Sequence, residues 1–228
     1  MQSVVSACGG LSSLSLGMWA HAFMLRKYDG NLSNDVLLNN TLVDMYCKCG
    51  SLDIAKQVFD RMSKRDITCW NSMILGFAMH GKFKEALDAF IRICRMKVLM
   101  PNSITFIGVL TACNRGGLVN EGRKYFESMV GKYKIEPQLE HYGCIVDLLA
   151  RAGLIEEALN VVNDMYVKPD VVIWRSLLDA CSKQIVDVEL SEEVARRILN
   201  TVFHQWLGYY LEYMPLLTVG TMLVPLEN

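Results

Sequence analysis

The chain has 228 residues, 52% hydrophobic and 21% charged, which excludes a disordered polymer and leaves room for one large domain or two small ones. Lys and Arg total 23 against 24 acidic residues, so the net charge is -1 and the overall basic excess of many nucleic-acid binders is missing. Only a local basic stripe would serve such a function. The eight cysteines (8, 47, 49, 69, 94, 113, 144 and 181) fall mostly in apolar stretches, and none forms a Cys-x-x-Cys pair. Cys47 and Cys49 are the nearest pair, with no His or Cys cluster to complete a zinc site, so reduced, buried thiols and no metal are expected.

The amino-terminal MQSVVSACGG shows no signal-peptide or Arg/Ser-rich leader pattern and reads as the inside of a structural unit. SVVSACGG at 3–10 parallels GVLTACNR at 108–115, so residues 1–35 are expected to be a repeat entered about three residues in. Four segments follow: 36–66, 67–102, 103–138 and 139–170. The fifteenth residue of each is glycine, at Gly50, Gly81, Gly117 and Gly153. Five residues on stand Ala55, Ala86, Gly122 and Ala158; nine on, Phe59, Phe90, Phe126 and Val162; twelve on, Met62, Ile93, Met129 and Met165. Leu52, Phe83, Val119 and Ile155 follow each glycine by two. Spacings of three and four place these columns on one helix face, and Leu42-Val43-Tyr46 and its counterparts mark a preceding helix. The glycine ends that first helix because it accepts a left-handed cap cheaply, and the small residue admits close helix approach. Each unit is thus an antiparallel helix pair. It cannot bury both faces alone, so the units are expected to stack into a superhelix, with Met and Cys filling the gaps.

VVIWRSLLDAC at 171–181 parallels ITCWNSMI at 67–74 and opens a sixth, degenerate unit over 171–200, whose glycine column reads Ile185. The tail at 201–228 is apolar, aromatic and without repeat columns. Leu207–Leu226 is long enough for a membrane span but holds Glu212 and Pro215, which argues against one. The tail reads as a continuation foreign to the repeats, as from a truncated or alternatively spliced product, with a divergent cap the other option.

The phrases LVDMYCKCGSLDIAKQVFDRM (42–62), CWNSMILGFAMHGKFKEALDAF (69–90), TFIGVLTACNRGGLVNEGRKYFESM (105–129) and YGCIVDLLARAGLIEEALNVVNDM (142–165) resemble pentatricopeptide repeats. They resemble especially the plant subclass (PLS) in which long, short and standard units alternate. On that resemblance 1–35 is a truncated long-type repeat, 36–66 short, 67–102 standard, 103–138 long and 139–170 short, with WRSLLDAC similar to a closing extension motif. Tetratricopeptide repeats are the nearest competitor, and the variable unit length and the MYCKCG and DLLARAG phrases speak against them. The resemblance implies an all-α fold, an α-solenoid wound as a right-handed superhelix of stacked antiparallel helix-turn-helix repeats.

It further implies a reader of single-stranded RNA, one base per repeat. The fifth and last residues of a unit would contact the base edge: Asn40 with Asp66, implying uracil, and Asn71 with Asn102, implying a pyrimidine, foremost cytosine. Leu37, Thr68, Ile104 and Val172 would sandwich the bases. Ile107 with Gln138 and Gly143 with Asp170 break the pattern, and Glu140 at a sandwiching position would repel phosphate. A basic stripe does recur at the thirteenth position, as Lys48, Arg115, Arg151 and Lys183, with Met79 interrupting it. These cations either contact phosphates or stabilise helix C-termini.

No catalytic residue is expected: a zinc deaminase needs His-x-Glu and Cys-x-x-Cys, and there is no phosphate-cradling Gly-rich loop and no Gly-x-Ser-x-Gly. No cofactor or small-molecule substrate is implied, and His21 and His141 read as packing or surface residues. The leading expectation is sequence-selective RNA binding in mitochondrion or chloroplast, as a site-recognition factor for C-to-U editing with the deaminase supplied in trans. The alternatives are a protein-interaction scaffold, docking through the closing unit around Trp174, and a fragment with little function of its own.

Overall fold

The computed structural model describes residues 1–28 and 34–183 together with positions 192, 194–197 and 199. All its regular elements are helices. In chain order they are α1 (Gln2–Gly10), α2 (Leu14–Lys27), α3 (Val36–Lys48), α4 (Leu52–Arg61), α5 (Ile67–Met79), α6 (Phe83–Met96), α7 (Ser103–Gly116), α8 (Val119–Gly131), α9 (Leu139–Arg151), α10 (Ile155–Asn163) and α11 (Val171–Lys183). The chain divides into two compact parts, Met1–Leu148 and Leu149–Asn228, with the division falling inside α9. The tail from 201 onward, and with it the reading of 207–226, lies outside the described residues. No helix among the described residues is long and apolar enough to cross a membrane.

In the first part α1, α3, α5 and α7 pack successively side by side. Each second helix packs both on its own first helix and on the first helix of the next pair, as α4 does on α3 and α5, and α6 on α5 and α7. This is an all-helical repeat solenoid. In the second part α10 packs on α11.

The turn between the helices of a pair repeats closely. Gly50, Gly81, Gly117 and Gly153 all have positive φ, between 64° and 85°, which an L side chain adopts only with strain. The residue after each donates its N–H five places back, as Ser51 does to Tyr46 O and Leu118 to Cys113 O, closing the helix end. The amino-terminal pair makes the same turn without glycine: Ser12 stands there at φ 51°, and Ser13 N–H donates to Cys8 O. The small-residue column is equally physical. A Cβ on Gly122 would collide with Leu148 Cδ2, and one on Gly17 with Met45 Sδ, so small residues on second helices admit large ones from the next first helix.

Between pairs an aromatic contact recurs, joining the residue nine beyond the turn to the fourth residue of the next unit. Phe59 meets Trp70 at 4.8 Å, Phe90 meets Phe106 at 5.4 Å, and Phe126 meets Tyr142 at 5.6 Å between ring centres. Each such pair adds about 0.5–1.5 kcal/mol beyond its buried area. In α2 the equivalent position is His21, whose Nδ1 lies 2.9 Å from Tyr46 Oη, with the two rings edge-on at 5.7 Å. His141 is fully buried: its Nδ1 accepts from Gln138 N–H, so Nε2 carries the proton and donates to Ser103 O at 2.9 Å. Both are packing residues. Trp174 is buried under Arg197, whose guanidinium lies 5.6 Å from the indole centre. It is therefore a core residue of the closing unit.

Gly117→Ala adds a methyl that meets no neighbour, so its cost is backbone strain alone; a loss of roughly 1–2 kcal/mol is expected in urea melts. Ser12→Gly relieves the same strain and is expected to raise stability, by up to about 1 kcal/mol. Burial, reinforced by the Arg61 guanidinium, holds the His21 imidazole below its ordinary 6.5. Protonation therefore favours the unfolded chain, and stability present above pH 6.5 is lost as pH falls through it. Thermal melts over that range should show this slope in the wild type and a reduced one in His21→Gln.

Candidate RNA-binding face

The fifth and last residues of a repeat are far apart in sequence and meet in space. Asn40, on α3, is 6% exposed, and its Nδ2 donates to both carboxylate oxygens of Asp66 at 3.0 Å. Asn71, on α5 and also 6% exposed, donates from Nδ2 to Asn102 Oδ1 at 3.1 Å. The last residue also begins the next helix. Asp66 caps α5 by accepting Cys69 N–H at 2.9 Å, and Asn102 caps α7 in a capping box with Thr105. Asp35 does the same for α3 and Asp170 for α11. Sequence reading missed this second duty, although an Asp or Asn just before the first apolar-periodic residue signals it. The cap fixes the side chain that faces the asparagine, so the pair is preset by the fold.

The remaining positions behave differently. Ile107 is half-buried and Gln138 exposed. Gln138 is a poor helix cap, and there the His141 ring accepts the Gln138 N–H, as the Thr105 hydroxyl accepts that of Asn102. A Cβ at Gly143 would meet open space. The second residues of the first helices point outward: Leu37 is 64% exposed, Ile104 56% and Val172 67%, with Thr68 and Glu140 also exposed. Exposed Leu, Ile and Val at one repeated position are apolar surface that the fold itself does not use.

The thirteenth-position cations stand in the last turns of their helices. Lys48 pairs with Asp44 at 2.7 Å, and Lys183 pairs with Asp179 one turn back in the same way. Arg115 donates from Nη1 to Met79 O at 3.3 Å, reaching the end of α5 where the stripe lacks a cation. Arg151 is exposed. Lys48 borders a cleft of about 380 Å³, also lined by Gly9, Gly10, Asp44, Ser72 and His80. Eight residues of helix separate Lys48 from Asn40, about 12 Å along the axis. Among the described residues no group of three or more His, Cys, Asp or Glu side chains is placed to hold a metal.

Four segments, at residues 35–63, 68–98, 104–133 and 140–168, match the PPR repeat family. The chain belongs to the pentatricopeptide repeat family. A pentatricopeptide repeat-containing protein of Arabidopsis thaliana, named chloroplastic/mitochondrial, is 61% identical over 202 residues, covering 88% of this chain and 32% of that protein. A mitochondrial one from the same plant is 47% identical over 195 residues, covering 86% of this chain and 41% of its own length. The chain thus spans a minor fraction of the curated relatives it matches. Among solved structures, the pentatricopeptide repeat protein PPR10 in complex with an 18-nt psaJ RNA element aligns with TM-score 0.63 and 23% identity, over 72% of this chain and 25% of that one. The PPR domain of Arabidopsis thaliana protein-only RNase P 1, in complex with tRNA, aligns with TM-score 0.61 and 17% identity, over 73% of this chain and 90% of that one. At these identities the likeness is one of fold.

The thiols of this pentatricopeptide repeat chain serve packing. Burial first, then the carboxylates of Asp44, Asp66 and Glu121, push Cys47, Cys69 and Cys113 up to about 12. Cys8 and Cys181 are buried too, while Cys49, Cys94 and Cys144 are partly exposed. A thiol reagent at about pH 8 should therefore label those three in the native chain and the other five only on unfolding. Fast native labelling of all eight would contradict this packing.

Proposed function

We propose that the chain binds single-stranded RNA sequence-selectively, reading bases with Asn40 and Asp66 at one repeat and Asn71 and Asn102 at the next. The observation that carries this is the pairing of those side chains beside exposed second residues. A polar pair preset by a helix cap, next to the apolar surface of Leu37, Thr68 and Ile104, offers a base both an edge and a stacking wall. Lys48, Arg115, Arg151 and Lys183 would track phosphates, and for Lys48, Arg115 and Lys183 this competes with the carboxylate or carbonyl groups of Asp44, Met79 and Asp179.

The setting we infer is transcript processing in mitochondria or chloroplasts. Relatives named for those organelles and fold neighbours captured with RNA support it. Within it we assign the chain to the subclass of alternating long, short and standard repeats, as a recognition factor for C-to-U editing. In this reading the deaminase acts in trans, with other protein partners.

One observation favours a second reading, a protein-docking scaffold. On α2, Trp19 is 65% exposed and stacks on Phe23 at 5.8 Å. The equivalent positions elsewhere carry Gln57 and Arg61, Asp88 and Arg92, Lys124 and Ser128, and Asn160 and Asp164. An outward aromatic pair where the other repeats are polar is a surface suited to another protein.

Fluorescence anisotropy with short single-stranded RNAs at two salt concentrations separates these readings. RNA reading predicts salt-dependent binding that prefers adjacent pyrimidines, with Asn40→Ala and Asn71→Ala each weakening the preferred RNA by about tenfold. Binding that is absent or blind to sequence, in a chain of native helicity, would sink it.

A further inference from the structure

The two asparagines differ in what their side-chain oxygens meet, and the third residue of the following repeat makes the difference. Both amide orientations follow from groups with a fixed role. At the second pair, Thr105 N–H donates to Asn102 Oδ1 at 3.0 Å, so the Asn71 group facing that oxygen is its amide nitrogen, and Asn71 Oδ1 turns to Thr105. Asn102 N–H donates to Thr105 Oγ1 at 3.0 Å, leaving that hydroxyl to donate; of its two acceptors, Asn71 Oδ1 at 2.7 Å is nearer than Asn102 Oδ1 at 3.0 Å. One lone pair of the Asn71 oxygen is therefore taken from inside the fold, and the amide has an N–H left to give.

At the first pair the Asp66 carboxylate only accepts, so Asn40 again points its nitrogen at its partner. The residue matching Thr105 is Cys69. Its N–H caps Asp66 as Thr105's caps Asn102, but its thiol lies 3.3 Å from Met62 Sδ. Asn40 Oδ1 is buried and has no hydrogen-bond partner. A buried acceptor left open costs free energy unless a ligand fills it.

We infer that Thr105 and Cys69 are positioning residues that set the polarity of base reading. Thr105 turns its pair into a donor, suited to the N3 lone pair of cytosine; Cys69 leaves its pair an acceptor, suited to the N3–H of uracil. This rests on the proposed RNA reading and extends it to residues that touch no base. Neither residue is exposed: both are fully buried, and they act through the asparagine.

The test compares full-length wild type with Cys69→Thr, Thr105→Val and Thr105→Ser, all checked for native helicity, against RNAs varying U and C at the two facing bases. Cys69→Thr should lower the U-over-C ratio at the base facing Asn40 on the order of tenfold, the size of one hydrogen bond lost or left unmade. Thr105→Val should lower the C-over-U ratio at the base facing Asn71 by a similar factor, and Thr105→Ser, which keeps the hydroxyl, should retain it. If Thr105→Val fails to fold, Cys69→Thr and Thr105→Ser still decide. Folded variants that keep the wild-type base ratios overturn this inference and leave the RNA reading standing. A wild type that binds RNA without base preference overturns both.

Discussion

A hairpin of two short helices carries more apolar surface than it can cover by itself, and how this chain covers the remainder sets most of its other features. Leu42, Met73, Val109 and Ile145 hold the same column in successive repeats and are all buried. Val4, in that column on α1, is 47% exposed. The same side chain is core or surface according to its neighbour. That dependence explains why the glycine turn and the small-residue column recur so strictly: both hold the second helix close enough to cover two first helices at once. It also explains why variable Met and Cys suffice elsewhere, since the space between imperfect repeats is irregular.

The junction between repeats is where fold and proposed function share atoms. Asp66 and Asn102 begin a helix and at the same time face a buried asparagine from the first helix of the preceding pair. A loop would hold such a pair loosely; a helix start holds one member by its cap and the other by burial. Under the RNA reading, this gives bases an edge of fixed geometry at little ordering cost on binding.

The repeat frame was legible because its signals are periodic and local. The glycine column fell on positive φ at all four positions, and the small column on close helix approaches at Gly122. Ser12 was not legible: serine rarely takes a left-handed conformation, so only the parallel between 3–10 and 108–115 hinted at the turn. The pairing partners Asn40 and Asp66 came from the family pattern, since a separation of 26 residues gives no local cue. The wiring through Thr105 was invisible because it depends on which way an amide is turned, and no spacing encodes that. His141 looked like a packing or surface residue and is a packing residue that also completes a helix start.

The capping duty of the last residue has a consequence for how such a chain can vary. A helix start accepts few side chains well, chiefly Asn, Asp, Ser and Thr. Any message written at that position must therefore use a short alphabet chosen by backbone chemistry before a ligand is considered. Gln138 falls outside it: the histidine three residues on accepts its N–H, and the fifth residue opposite, Ile107, has no polar group to read with. Spelling and folding are constrained at the same atom, so drift at a repeat's last residue is paced by helix stability as much as by what the repeat recognises.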